Sequence, residues 1–175
     1  GVARWALQAA MRLPESERPQ FIMLGLAHPD PTCRLRAAIA VRDGRECPDR
    51  STMLQKMRID RFMTVRREAL YAMLDASIED RREWLASSLL DRHRSMREAA
   101  RYYLTHEGAQ RPVHFDIRAF YVDAIEKSAD DTLASAIAGL GETGQRTDAE
   151  SLIKFVEHPR PKIAASAVRA IAELD

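Results

Sequence analysis

Cysteine is nearly absent: Cys33 and Cys47 are the only two in 175 residues. So few thiols exclude a disulfide-stapled secreted scaffold, and Cys33, which falls on an apolar helical face, is expected as a reduced core residue. No apolar run approaches the ~20 residues of a membrane span, and no basic-then-apolar leader is visible. A cytoplasmic chain with no membrane partner is therefore expected. Charge of one sign is also lacking. Twenty-seven basic residues against 26 acidic leave +1, so no global field attracts nucleic acid or acidic lipid. Aromatic residues make up only 6%, and the seven glycines are scattered, so no Gly-rich phosphate loop can be built. Lysine is scarce too. Lys56, Lys127, Lys154 and Lys162 are the only four, and the other 23 bases are Arg. Arginine suits bidentate and stacked contacts, although a genomic codon bias yields the same count.

What is present is repetition. Hydrophobic residues at 46% and charged residues at 30% describe an ordinary folding chain, and the length suits one domain over residues 1–175. Six segments share an apolar or small residue, Ala four on, a small residue seven on, and an apolar one eight on. The first three are Val2-Ala6-Ala9-Ala10, Cys33-Ala37-Ala40-Val41 and Val65-Ala69-Ala72-Met73. The others are Met96-Ala100-Tyr103-Leu104, Thr132-Ala136-Gly139-Leu140 and Ile163-Ala167-Ala170-Ile171. Their starts lie 31, 32, 31, 36 and 31 residues apart, a period that signals a repeat array. The four offsets form one stripe of an α-helix. Alanine at the fifth place lets a neighbouring helix approach closely, where a larger side chain would overpack.

A second helix precedes each of the last five segments, with apolar faces at Phe21/Ile22/Leu24, Met53/Leu54/Met57, Trp84/Leu85/Leu89, Ile117/Phe120/Tyr121/Ile125 and Leu152/Ile153/Val156. Thr52 with Gln55, Asp80 with Glu83, Thr147 with Glu150 and Ser95 with Glu98 have capping-box spacing. His28-Pro29-Asp30-Pro31 and His158-Pro159-Arg160-Pro161 break the chain five residues before their segments begin, and proline in a first helical turn costs little. Gly139, Gly141 and Gly144 read as a helix exit.

Paired helices at this period, with a second helix of the form apolar-Arg-x-x-Ala-x-x-Ala-apolar, resemble HEAT repeats, particularly the bacterial type first noted in phycobilisome lyases. Val65-Arg66-Arg67-Glu68-Ala69-Leu70-Tyr71-Ala72-Met73 is the cleanest copy. The resemblance covers nearly the whole chain and implies an all-α, right-handed solenoid of paired antiparallel helices with an armadillo-type superhelix. It would hold about 11 helices: one lone second helix and five pairs. The opening on Gly1 inside a helical pattern points to a section of a longer array. In the family, Arg at the second place and Asp in the preceding turn form a polar ladder, and Arg34 with Asp30, Arg66 with Asp60 and Arg97 with Asp91 are suited to it.

Two enzymatic relatives of the fold can be weighed against these residues. HEAT-type deoxyhypusine hydroxylase holds two irons with several His-Glu pairs, whereas this chain has one, His106-Glu107. One pair cannot complete a di-iron site, and no metal or cofactor is expected. Alkylpurine DNA glycosylases suggest a nucleic-acid alternative, with Trp5, Tyr71 and Tyr102 stacking on bases and Arg36, Arg67 and Arg101 meeting phosphates. Glu68 and Glu98 adjoin those positions and count against it. The expected function is non-catalytic: a scaffold binding a protein or peptide on the concave wall lined by second helices. The position six beyond each start gives Gln8, Ile39, Tyr71, Tyr102, Ala138 and Arg169. Exposed Ile39, Tyr71 and Tyr102, flanked by Leu35, Arg36 and Arg67, would form the partner-binding track, since aromatic and Arg side chains anchor interfaces.

Overall fold

A computed structural model describes residues 12, 14, 16–44, 49–106 and 115–175, and every regular element among them is helical. In chain order these are α1 (Arg18–Leu26), α2 (Pro31–Asp43), α3 (Arg50–Arg58), α4 (Met63–Met73) and α5 (Ile78–Ser88). They continue with α6 (Arg94–Thr105), α7 (Ile117–Lys127), α8 (Asp130–Thr143), α9 (Ala149–Leu152) and α10 (Pro161–Leu174). Short 3-10 turns at Arg146–Asp148 and Ile153–Phe155 flank α9. The ten α-helices match the five expected pairs in number and order, while the lone first segment, Trp5, Gln8, Cys47, Glu107 and His114 lie outside the described residues. None of these helices is long and apolar enough to cross a membrane.

The chain forms two compact units, Gly1–Arg81 and Arg82–Asp175. In the first, α1 packs on α2 and α3 on α4, while the second helices α2 and α4 pack on each other. The second unit repeats the scheme: α7 lies on α8, α9 on α10, and α8 packs extensively on α10.

The turns carry the period into backbone geometry. Each second helix begins two residues before its segment's first apolar position, with the N-cap one further back at Asp30, Phe62, His93, Ala129 or Arg160. At five residues before the start, His28, Asp60, Asp91 and His158 each accept a hydrogen bond from the backbone N–H two residues on, at 2.8–3.2 Å. Asp and the Nδ1 lone pair of His serve the same local turn. Pro31 and Pro161 occupy the first helical turn, where a missing N–H is harmless.

The expected capping boxes are displaced. Thr52 and Ser95 lie inside helices that start at Arg50 and Arg94. In place of the box expected at Asp80/Glu83, the Ser77 hydroxyl donates to the Asp80 carboxylate at 2.8 Å and accepts from the Asp80 backbone N–H at 3.2 Å. The box expected at Thr147/Glu150 is made by Gln145 and Asp148. Polar residues three apart also recur along exposed helix surfaces, so the spacing marked a helix without marking its end.

Alanine at the fifth place behaves as the pattern requires: Ala37, Ala69, Ala100, Ala136 and Ala167 are all fully buried. The exception at Gly139 has a specific cause. A Cβ there would lie 2.1 Å from the ring of Tyr121, the largest fully buried side chain. A Cβ on Gly141 would lie 2.5 Å from the Ala170 backbone. Both glycines therefore sit inside α8 as close-approach positions toward α7 and α10, and only Gly144 stands at the helix exit. Two first-helix faces also differ from expectation. In α1, Ile22 and Leu26 are buried while Leu24 is exposed. Of the apolar face expected at α9 only Leu152 is buried, because the change to 3-10 winding turns Ile153 and Val156 outward.

Candidate functional site

The arginines of the second place are structural. Arg34, Arg66 and Arg97 are buried, and each donates from Nη1 to the backbone carbonyl five residues before its segment's start, that of His28, Asp60 or Asp91, at 2.7–2.8 Å. Arg34 also donates from Nε to Asp60 of the following turn at 2.7 Å. Its expected partner Asp30 instead accepts from the Thr32 N–H. Arg97 donates to Glu142 on α8, through Nε at 3.3 Å and more closely through Nη2. The ladder therefore runs from each arginine to its own turn's carbonyl and, for Arg34 and Arg97, on to a carboxylate of the next pair.

Glu142 is the hub of the second unit. Its carboxylate is almost fully buried and accepts from Arg101 as well, Nη1 to Oε2 at 2.7 Å. Burial opposes the charge on Arg101, but hydrogen bonds to Glu142 and Tyr121 outweigh it and raise the guanidinium pKa. Burial pushes the Tyr121 phenol up from its ordinary 10.0, and the Arg101 guanidinium beside it pulls partly back. The Tyr121 hydroxyl donates to the Leu89 carbonyl at 3.1 Å. Arg101 is thus committed inward, which removes it from the residues expected to meet phosphates.

Beside this hub lies a groove of about 330 Å³ bounded by the second helices α6, α8 and α10. Its floor is small: Ala134, Ser135 and Ala138 from α8, with Ser166 and Ala170 from α10. Its walls are charged. Arg92 and His93 come from the turn before α6, Arg94 and Arg97 from α6, and Lys162 and Arg169 from α10. Among the described residues Glu142 and Glu173 are the only carboxylates in the lining, against five permanently cationic side chains. Arg94 spans the floor from α6 to α10, Nη1 to Glu173 Oε1 at 3.0 Å, and also bonds Glu98 on its own helix. The hydrogen bond to Glu98 and the charges of Glu173 and Glu142 raise its pKa.

The six sequence-predicted contact residues divide between the units. Leu35, Arg36 and Ile39 lie on α2, and Arg67 and Tyr71 on the adjoining α4. All five are half-buried, which corrects the expected exposure of Ile39 and Tyr71. Arg67 Nε is buried with no hydrogen-bond partner among the described residues, and such a donor ordinarily costs about 1–3 kcal/mol. Tyr102 belongs to the second unit, on α6, and is exposed as expected. It stacks on His106 with centroids 4.3 Å apart.

Sequence reasoning reached the groove only at Ala138 and Arg169, through the six-residue offset. It missed the wall residues Arg92, His93, Arg94 and Lys162 and the hub Glu142. A signal existed: Ala134, Ser135 and Ala138 are small on the side where other copies carry Tyr71 or Tyr102, and a small stripe between charged ones leaves a trough. No group of three His, Cys, Asp or Glu side chains with metal-ligand placement occurs among the described residues. No protein-family model matches the chain, and no curated protein is similar enough to stand as a relative.

Proposed function

We propose that this chain forms a HEAT-like, right-handed α-solenoid serving as a non-catalytic scaffold, which holds a protein or peptide partner on the face of its second helices. The observation that carries this reading is the groove between α6, α8 and α10, where small floor residues leave room for side chains of another molecule. The helix pairs, the repeated turn geometry and the five buried alanines support the architecture. Leu35, Arg36, Ile39, Arg67 and Tyr71 are proposed contacts on the first unit's second helices, and Tyr102 on the second unit's. The nucleic-acid alternative has less support, because Arg101 is engaged with Glu142 and the described lining of the groove has no Phe, Tyr or Trp to stack on a base.

A photoreactive p-benzoylphenylalanine at Tyr102, where it replaces an exposed aromatic ring, tests the reading in the native source. The expected outcome is a covalent adduct to an identified protein from Tyr102, which shares its repeat offset with the groove residues Ala138 and Arg169, with none from the exposed Val168, which has neither that offset nor a place in the lining. Equal adducts from both positions, or none from Tyr102, would overturn it.

A further inference from the structure

We infer that the groove of the second unit recognises an acidic peptide segment, and that Glu173 occupies the place of one of its carboxylates in the unbound protein. This rests on the scaffold reading and adds the ligand's chemistry.

The charge balance comes first. Of the two carboxylates in the lining, Glu142 is buried and taken up by Arg97 and Arg101. Its charge is spent inside the protein. The positive charges of Lys162 and Arg169 are not neutralised in the same way. Lys162 has no ion pair among the described residues, and Arg169 donates from Nε only to the Ala165 carbonyl of its own helix, at 3.2 Å. Both are exposed, on α10, at places where a ligand in the groove would meet them.

Arg94 and Glu173 supply the second argument. They form an ion pair between α6 and α10, with side chains 57% and 41% exposed. A pair this wet contributes little stability and exchanges readily. It lies over α8, where Ala138 and Ser135 place nothing tall between the two helices. An incoming carboxylate can therefore take Arg94 from Glu173 without disturbing the core, and Glu173 acts as an internal competitor.

Size and lining separate a peptide from nucleic acid. About 330 Å³ accommodates a few side chains and not a duplex. Among the described lining residues there is no Phe, Tyr or Trp to serve as a stacking platform for a base, and His93 is the one ring.

A fluorescent oligoglutamate peptide, titrated into the full chain at low salt and followed by anisotropy, tests the inference. A length-matched oligoglutamine and an oligothymidylate serve as comparison probes. Lys162→Glu and Arg169→Glu should each weaken oligoglutamate binding by at least about tenfold, because each puts repulsion where attraction stood. Glu173→Gln should strengthen it by about two- to fivefold, since an exposed pair costs a competing ligand little to break. Lys154→Glu makes the same change in net charge at an exposed position outside the groove and should leave binding within about twofold. Equal loss from Lys154→Glu would reduce the effect to overall charge and overturn the inference. So would no response to Glu173→Gln, equal binding of oligoglutamine, or tighter binding of oligothymidylate through Lys162 and Arg169. If oligoglutamate fails to bind while Tyr102 still crosslinks to an identified protein, the acidic ligand falls and the scaffold reading stands.

Discussion

Arg34 on α2 bypasses Asp30 in its own turn and donates instead to Asp60 of the next turn, Nε to Oδ2 at 2.7 Å, with both side chains about nine-tenths buried. The same guanidinium donates from Nη1 to the carbonyls of His28 and Pro29 at 2.7 and 2.8 Å. One side chain thus closes its own turn and ties one helix pair to the next. Arginine can do so because its planar fork presents several donors at once, which the single ammonium of lysine cannot reproduce.

Removing that side chain leaves buried acceptors without their donor. Arg34→Ala is expected to destabilise the chain by about 3–5 kcal/mol, and Arg34→Lys by about 1–3 kcal/mol, since it keeps the charge and loses the fork. Urea midpoints read both. A midpoint for Arg34→Lys equal to wild type would mean that the charge alone matters.

Gly139 and Tyr121 make a tighter test. Gly139→Ala drives a methyl into the Tyr121 ring, from which the added Cβ would stand 2.1 Å away. A loss of about 1–3 kcal/mol or more is expected. Tyr121→Leu alone also costs stability, because the ring is fully buried and its hydroxyl donates to Leu89. The double variant should cost less than the two single losses added together, by about 0.5–3 kcal/mol. Strict additivity would show that α8 shifts away from α7 and relieves the clash by itself.

The repeat register predicts a contrast between alanines. Ala69→Leu and Ala100→Leu insert three carbons at fully buried contacts and should each cost about 1–3 kcal/mol. Ala138→Leu fills open groove instead and should change stability by less than about 0.5 kcal/mol, while abolishing whatever binds there. Equal losses at all three positions in chemical denaturation would refute the register.

Acid should expose the Arg118–Asp148 pair. The hydrogen bond from Arg118 is the main reason that the Asp148 pKa falls below its ordinary 3.8, and the Gln145 N–H, at 2.7 Å, adds to it. A carboxylate with a depressed folded pKa stabilises the fold above its unfolded pKa, and that stability is lost as pH falls through the folded value. The wild type should therefore lose thermal stability more steeply below about pH 4 than Asp148→Asn, which cannot titrate. Parallel pH profiles for the two proteins would show that the pair contributes nothing to folding.

Much of this is legible in the amino-acid sequence, and one physical cause separates what is legible from what is not. Helix pairs, the buried fifth-place alanine and the proline-led turns rest on interactions within a few residues, and 3.6-residue periodicity writes these directly into the chain. The capping boxes were misplaced because the same spacing occurs at a helix start and along its surface. Leu24, Ile153 and Val156 were assigned inward on hydrophobicity alone, which an apolar residue at a helix end does not have to obey. Gly139 reads in the sequence as part of a helix exit, whereas its place inside α8 follows from the Tyr121 ring, which fills the space that a side chain there would need.

By itself, then, the sequence determined the secondary structure, the period and the identity of the packed stripe, because each depends on local spacing. Tertiary structure alone decided which acid meets which arginine. Arg97 and Glu142 lie 45 residues apart in sequence, and no rule of spacing selects that carboxylate over its neighbours. It decided the groove as well. Ala138 and Arg169 share an offset in the chain and Lys162 does not, and the three face a common space only because α8 packs closely on α10, an approach set by Gly141 against the Ala170 backbone.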